Sequence, residues 1–484
     1  MLTPAIDIGL LHVLSVLAIT VRVIMRRPST GVTLAWISIV AIFPFAGLIL
    51  YLLFGERRIS RKRVSLIAER RIDYDNMVSM AFAKGLLDVE WNSLRPEAFS
   101  MNTLGIKTVG FPTVSGSHCE LYSEADQILD AITRDIDNAK YSVLMEYYIW
   151  SEGGKADQVL LALIRAAKRG VSCCILIDAL GARKWWNGNQ PKQLRDAGVK
   201  VQRALPAGLF RTLVDRTDLR VHRKIVVIDN NAAWTGSMNM VDPKFFNQEA
   251  NVGNWVDAMV RIEGALIAPL ALTVIGDWVL ETEDSIEQML KHTNIGNISP
   301  RGRCDAQVIP SGPGETDDGL LQMLLAIINS ARHELVLTTP YFVPDESMLR
   351  ALRGAAARGV KVDLIVPEKV DSLLTRHASH SYYDELLDMG VNIHLYQKGL
   401  LHTKSITADR CISMFGTVNL DMRSIWINYE VALFFYDSKF SEELYQLQAS
   451  YIECSRLLNP VEWAKRATGK RFVENTFRLV SPIL

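Results

Sequence analysis

The chain has no surplus of charge of either sign: Lys plus Arg and Asp plus Glu each number 53 among 484 residues, a formal net charge of zero. Gripping a phosphate backbone along a surface takes a broad basic field, so the balance argues against a nucleic-acid partner. Cysteine is sparse as well, with six residues (Cys119, Cys173, Cys174, Cys304, Cys411, Cys454) and no CxxC pair. That pattern excludes a zinc ribbon or a disulfide framework and predicts reduced, mostly buried thiols. Histidine occurs nine times, and no cluster of carboxylates calls for a metal. No cofactor is expected.

Apolar residues are plentiful, at 49% of the chain, with a mean hydropathy of +0.11. The excess lies at the N-terminus. Residues 5–25 and 31–54 are long apolar runs, and at ~1.5 Å per residue each can cross a bilayer core of ~30 Å as a helix. A cleaved signal peptide fits poorly: positive charge follows the first run, no small-residue cleavage site is evident, and a second run comes directly after. Arg26 and Arg27 separate the runs, and Arg57, Arg58, Arg61, Lys62, Arg63, Arg70 and Arg71 follow them. The denser cluster marks the cytoplasmic side, which places both termini there. Such a collar also attracts anionic headgroups.

From about Leu121 helix-like and strand-like segments alternate, as in an α/β fold. Helices are expected over 125–139 and 158–169 and strands over 141–148 and 171–177. The order then recurs, with helices through 320–330 and 348–358 and strands over 334–339 and 360–366. The text LIRAAKRGVSCCILI has its echo in ALRGAAARGVKVDLI. This gives a provisional division into 1–58 (two membrane helices), 59–116 (basic collar and linker), 117–295 and 296–458 (two equivalent α/β domains) and 459–484 (a basic amphipathic tail, suited to a membrane surface or to packing on the domain).

Each domain carries the same signature. His222, Lys224, Asp229, Ser237 and Asn239 recur as His402, Lys404, Asp409, Thr417 and Asn419, with identical spacing, 180 positions apart. A five-point pattern repeated in a chain with nine histidines is not a chance event. Strands over 220–228 and 401–407, each followed by a second short strand, put His and Lys on one face through the two-residue period. These residue types suit a phosphodiester, whose oxygens are negative and whose alkoxide leaves poorly. One imidazole attacks phosphorus, and the other gives the leaving oxygen a proton. Lys224, Lys404, Asn239 and Asn419 suit the non-bridging oxygens. Each ring also needs its second nitrogen oriented, for which Glu249 and Glu430, ten and eleven residues past the asparagines, are the candidates. Asp229 and Asp409 suit the hairpin turns.

The motif HxKxxxxDxxxxxxG[ST]xN, present twice, resembles the phospholipase D superfamily over roughly residues 121–457, and the two leading apolar runs resemble its bacterial cardiolipin synthases. Thr339-Pro340-Tyr341-Phe342 and the stretch holding Asn419, Asp421, Arg423 and Ser424 are similar to that family's local text. The resemblance implies two α/β/α sandwich domains about a pseudo-twofold axis, meeting at one active site, preceded by a two-helix transmembrane hairpin in the bacterial inner membrane. It implies transfer of a phosphatidyl group between two phosphatidylglycerols, giving cardiolipin and glycerol, with His222, Lys224, Asp229, His402, Lys404 and Asp409 as the catalytic set. By analogy His222 is the nucleophile, although the symmetry leaves either assignment open. Three other readings stay open: a hydrolase with the same machinery, a transferase using serine or another alcohol, and a non-catalytic membrane scaffold. Oligomeric state is not legible. Among lesser features, Gly312-Pro313-Gly314 suits a helix-opening turn better than a phosphate-facing loop, Tyr147, Tyr148 and Tyr341 suit a cleft at strand ends, His377 and His380 suit a solvated helix face better than a metal site, and Trp185-Trp186 either an interfacial loop or packing.

Overall fold

The structure, a computed structural model, describes residues 4–26, 30–55, 63, 65–67, 87–206, 218–293, 298–315 and 318–479. Arg27, Arg57, Arg58, Arg61, Lys62, Arg70 and Arg71 of the basic segments lie outside the described residues. The N-terminal helices form one compact unit, and the described residues of 87–206 and 219–479 belong to another.

In the N-terminal unit, Pro4–Arg26 is one unbroken helix, and it contains the one described helix segment long and apolar enough to cross a membrane. The second apolar run is two helices, Thr30–Ile42 and Ala46–Phe54, and not the single span expected over 31–54. Pro44 explains the break: it brings no N–H and disfavours helical geometry at Phe43, while Phe45 takes a φ of +60°. Ile19, Val23, Val40 and Tyr51 are buried together, with Trp36 edge-on to Tyr51 at 5.4 Å. Leu10, Leu14, Leu17 and Val21 are each more than half exposed, an outward apolar face without protein cover.

The other unit is built on strands. The first half supplies β1 (Val114–Tyr122), β2 (Ser142–Tyr147), β3 (Ser172–Asp178), β4 (Lys200–Ala204), β5 (Ile225–Ile228), β6 (Ala232–Gly236), β7 (Trp255–Val256) and β8 (Met259–Gly264). The second supplies β9 (Cys304–Ser311), β10 (Glu334–Thr338), β11 (Phe342–Val343), β12 (Lys361–Pro367), β13 (Asn392–Tyr396), β14 (Leu400–Leu401), β15 (Ser405–Ala408), β16 (Ile412–Gly416), β17 (Leu420–Asp421), β18 (Glu430–Phe435) and β19 (Ser455–Leu457). Among the described residues, fifteen of them form one continuous sheet. Its centre is the antiparallel pair β1–β9. Outward from that pair one side runs β1-β8-β6-β5-β2-β3-β4 and the other β9-β18-β16-β15-β10-β12-β13, the same order twice. The repeat in the sequence is therefore a two-fold repeat in space.

Helices cover both faces. Along β2, Val143 and Met145 pack under the helices Ala125–Asp137 and Lys155–Lys168, while Leu144 packs with the helix Ile267–Glu281 on the other side. In the second half Leu335 and Leu337 face the helices Gly319–Ser330 and Glu346–Ala357. Val336 faces Tyr451 of the helix Ser438–Glu453. Burial on both faces is why these strands read as unbroken apolar runs.

Packing decides three segments whose role the sequence left open. The stretch ahead of β1 is not merely a linker: the helix Pro96–Val109 buries Ala98 and Met101 in the second half's core, and Arg95 donates to Asp409 at 2.7 Å and to the Ser330 carbonyl at 2.9 Å. The tail packs on the helix Leu373–Asp388, with Phe477 stacked on His377 at 5.3 Å and Glu474 beside His380 at 3.3 Å. His377 and His380 therefore hold the tail helix and do not form a solvated face. Trp185 and Trp186 are core residues, 2% and 7% exposed, whose indoles donate to Gln190 and to the Asp178 carbonyl.

The motif glycines have a steric cause. A Cβ at Gly416 would lie 2.4 Å from the Val431 carbonyl oxygen, and one at Gly236 would lie 2.4 Å from that of Ala258. Gly416→Ala should destabilise the protein by roughly 1–3 kcal/mol through this overpacking. A wild-type midpoint in thermal unfolding would show that the strands part without cost.

Candidate active site

The two HxK segments are not the continuous strands expected over 220–228 and 401–407. Each breaks ahead of its sheet strand and crosses to the opposite half. His222 N donates to the Tyr429 carbonyl at 2.8 Å, and Tyr429 N to that of Arg220 at 2.8 Å. In the same way β14 pairs with β7, and His402 N donates to the Val256 carbonyl at 2.8 Å. Each histidine is thus pinned by backbone to the half that does not contain it.

The carboxylates follow the same rule. His222 Nδ1 lies 2.8 Å from Glu430 Oε1 and 2.9 Å from Oε2. His402 Nδ1 lies 2.6 Å from Asp257 Oδ1. An acceptor there keeps the proton on Nδ1 and leaves the Nε2 lone pair free. The motif hydroxyls brace the carboxylates: Thr417 Oγ1 donates to Glu430 at 2.6 Å and accepts from Val431 N at 3.0 Å. Ser237 Oγ donates to Asp257 at 2.6 Å and accepts from Ala258 N at 3.0 Å.

Glu430 therefore stands where it was expected, but Glu249 does not. Glu249 is exposed on the turn Gln248–Ala250, where it reaches only toward Lys184 at 3.9 Å. Asp257 takes the place assigned to it. The first half carries a longer segment ahead of this carboxylate, eighteen residues past Asn239 against eleven past Asn419, so equal spacing pointed to the wrong acid. A usable signal exists in the sequence: Asp257 and Glu430 each stand at or just ahead of the start of the next six-residue strand after their motif.

Both lysines are fully buried, and each donates to its own histidine's carbonyl, Lys224 at 2.6 Å and Lys404 at 2.5 Å. Asn239 Oδ1 accepts from Ile149 N at 3.2 Å. Among the described residues, buried Asn239 Nδ2 and Asn419 Oδ1 have no partner. Asp229 and Asp409 sit at the hairpin turns, at the far ends of β5 and β15 from the lysines. Asp229 caps the entry to β2 by accepting from Lys140, Tyr141 and Ser142 N–H groups at 2.6, 2.8 and 2.8 Å. Asp409 caps β10 through Arg332, His333 and Glu334 at 2.9, 2.8 and 2.9 Å. They hold the scaffold and touch neither histidine.

Tyr148 packs edge-on to His222, with ring centroids 5.0 Å apart, and Trp255 lies over His402 at 4.3 Å. The Tyr341 hydroxyl donates to Asp371 at 2.8 Å. Gly312 lies under the Tyr429 ring, where a Cβ would meet it at 2.3 Å, which makes this a packing turn. Among the described residues no three His, Cys, Asp or Glu side chains converge to hold a metal ion.

Burial governs the titration of the site. It pushes the His222 ring down to about 4, against the pull of Glu430 and with help from Lys224 and Lys404. Burial and then Lys404 push His402 down to about 3, against Asp257. Lys224 is pushed by burial down to about 8 despite the nearby carboxylates, and Lys404 is lowered for the same reason. Burial alone would raise Glu430 and Asp257, but His222 and His402 outweigh it and hold both below the usual carboxylate range. At neutral pH the site thus holds two neutral imidazoles and two ionised carboxylates, beside two lysines whose charged form burial disfavours. Each lysine bears electrostatically on the other half's histidine, so the two motifs form one centre. Such a centre can attack a phosphodiester and protonate what leaves.

Residues 132–260 and 324–450 match the family described as "Cardiolipin synthase, PLD-like domain", and residues 13–56 the one described as "Phospholipase_D-nuclease N-terminal". A curated relative named cardiolipin synthase A from Serratia proteamaculans is 39% identical over 472 residues, covering 97% of this chain and 96% of its own length. One of the same name from Yersinia pseudotuberculosis is 40% identical over 471 residues, with the same coverage. Among solved structures, a phosphatidylserine synthase from Haemophilus influenzae matches 80% of this chain and 100% of that one, with a TM-score of 0.59 at 15% identity. At that identity the likeness concerns the fold alone.

If Asp257 sets the His402 tautomer, Asp257→Asn should cost roughly 10³–10⁴ in turnover, as in other carboxylate–histidine pairs, while Glu249→Gln stays near wild type. Equal losses in the two variants would return Glu249 to the site. Attack needs an unprotonated ring, and the His222 ring is held at about 4 where an ordinary histidine has 6.5. The acid limb of kcat/KM, which reports the free enzyme, should fall as pH drops toward 4. A limb centred near 6.5 would mean a solvated ring.

Proposed function

The chain belongs to the cardiolipin synthase family of phospholipase D-like proteins, and we propose that it transfers a phosphatidyl group from one phosphatidylglycerol to another, giving cardiolipin and glycerol. The observation that carries this reading is the reciprocal pairing of His222 with Glu430 and His402 with Asp257. It supplies two equally oriented imidazoles at one buried site, and a double displacement at phosphorus needs both.

His222 Nε2 attacks phosphorus, the phosphorus–oxygen bond to the departing glycerol breaks, and His402 gives that oxygen its proton. The anionic phosphodiester, on entry, favours the protonated ring that burial disfavours. In the second step the hydroxyl of the acceptor lipid yields its proton to His402 as its oxygen bonds to phosphorus. The phosphorus–nitrogen bond then breaks and frees His222. His402 thus ends the second step with the proton it held at the start of the first. Lys224, Lys404, Asn239 and Asn419 hold the non-bridging oxygens as charge grows on them.

Anchoring supports lipid substrates. The helix Pro4–Arg26 and the pair Thr30–Ile42 and Ala46–Phe54 form a hairpin whose outward leucines and valines are uncovered, a surface suited to lipid. We read it as a two-pass anchor in the bacterial inner membrane, with the basic residues after the hairpin holding the catalytic unit on the cytoplasmic side. Both substrates then come from the bilayer in which the enzyme sits.

The test uses purified full-length protein in phosphatidylglycerol vesicles, with lipids and released glycerol resolved. Cardiolipin and glycerol in equal amounts are expected. His222→Ala and His402→Ala should each lower the rate by about 10³ or more, since residues that act as a unit fail together. Phosphatidic acid without cardiolipin would make the protein a hydrolase, and full activity in either variant would end the shared-site mechanism.

A further inference from the structure

The two halves differ most just ahead of the orienting carboxylates. Two residues before Glu430 stands Asn428, which donates to Glu430 at 3.2 Å. The matching position before Asp257 is Trp255. Its ring centroid lies 4.3 Å from that of His402, with the planes at 42°. Phe246 packs edge-on behind it at 5.1 Å, and Val252 and Leu400 close the cluster. Phe246 and Val252 come from the longer segment found only in the first half, so among the described residues His222 has Tyr148 edge-on but no counterpart of this cluster. Trp255 is 7% exposed, and its Nε1 is buried with no hydrogen-bond partner among the described residues. Buried indole N–H groups ordinarily find an acceptor. An oxygen entering beside His402 would provide one.

We propose that Trp255 is a specificity residue on the headgroup side of the site: its ring keeps water from His402, and its Nε1–H donates to a hydroxyl oxygen of the polyol headgroup that leaves or enters there. The inference rests on the phosphatidyl-transfer reading above, with His402 as the proton carrier. After the first step the phosphatidyl group sits on His222, and water and the lipid hydroxyl compete for it. Either nucleophile hands its proton to His402. Attack by water forms an oxygen–phosphorus bond, breaks the phosphorus–nitrogen bond and yields phosphatidic acid. Cover over His402 suppresses that branch by excluding the small competitor. The unpaired N–H favours the nucleophile that brings extra hydroxyls.

Two variants separate the cover from the donor. Trp255→Phe keeps an aromatic ring and loses the N–H, while Trp255→Ala loses both. In phosphatidylglycerol vesicles, W255A should raise the ratio of phosphatidic acid to cardiolipin by about tenfold or more as water gains access. W255F should hold that ratio and raise KM for phosphatidylglycerol roughly 3- to 10-fold, the worth of one hydrogen bond. A residue that only packs would lower both products together. Wild-type cardiolipin synthesis with an unmoved ratio in W255A overturns this proposal alone, whereas no cardiolipin from the wild type overturns the transfer reading and this proposal with it. Should W255A not fold, W255F decides: an unchanged KM overturns the role.

Discussion

Each motif histidine is held by the half of the protein to which it does not belong. The His222–Glu430 contact spans 208 positions and the His402–Asp257 contact 145, and backbone hydrogen bonds from His222 to Tyr429 and from His402 to Val256 run beside them. A single half, folded alone, would present a histidine with no orienting acid and a buried acid with no histidine. Burying a charge without its partner costs far more than the pair returns, so the site and the joint between the halves stand or fall together. The central β1–β9 pair closes the sheet in the register that lets the two crossings meet.

Symmetry is tightened by unlike means. Arg223, between His222 and Lys224, donates to the Glu430 carbonyl at 2.8 Å and to that of Ser311 at 3.0 Å, and pairs with Asp277. The corresponding Thr403 meets Tyr451 at 3.0 Å and the Val256 carbonyl at 3.3 Å. The first motif is thus stitched to the second half by a charge and the second to the first half by a hydroxyl. The covers of the rings differ too, Tyr148 on one and Trp255 on the other. A difference of this kind suits the proposed two-step reaction, in which one ring would bond to phosphorus while the other carries the proton.

Much of the scaffold was legible because its signals are local. β2 and β3 are buried on both faces and read as apolar runs, and Gly170 and Gly359 end helices at positive φ, where glycine carries no steric penalty. The hairpin roles of Asp229 and Asp409 could be read from their place between two short strands. Other features were hidden for physical reasons. β7 and β14 are two residues each, too short for a period to show. Trp185 and Trp186 sit among polar neighbours in sequence, yet pack in space against Trp150 at 5.3 Å and under Arg203 at 4.7 Å. The helix Pro96–Val109 shows its role only in space, through Ala98 and Met101 in the second half's core and through Arg95 ahead of it, whose partner Asp409 is 314 positions away.

By itself the sequence determined the reactive inventory: two histidines, two lysines, two asparagines and two hydroxyls, at spacings set by a strand, a tight turn and a return strand. Those spacings are short, so local geometry dictates them and a repeat exposes them. Only the tertiary structure decided which acid orients which ring, and it chose Asp257 over Glu249. That partner lies across the joint between halves, where chain spacing imposes no distance and the register of the shared sheet alone brings the two together.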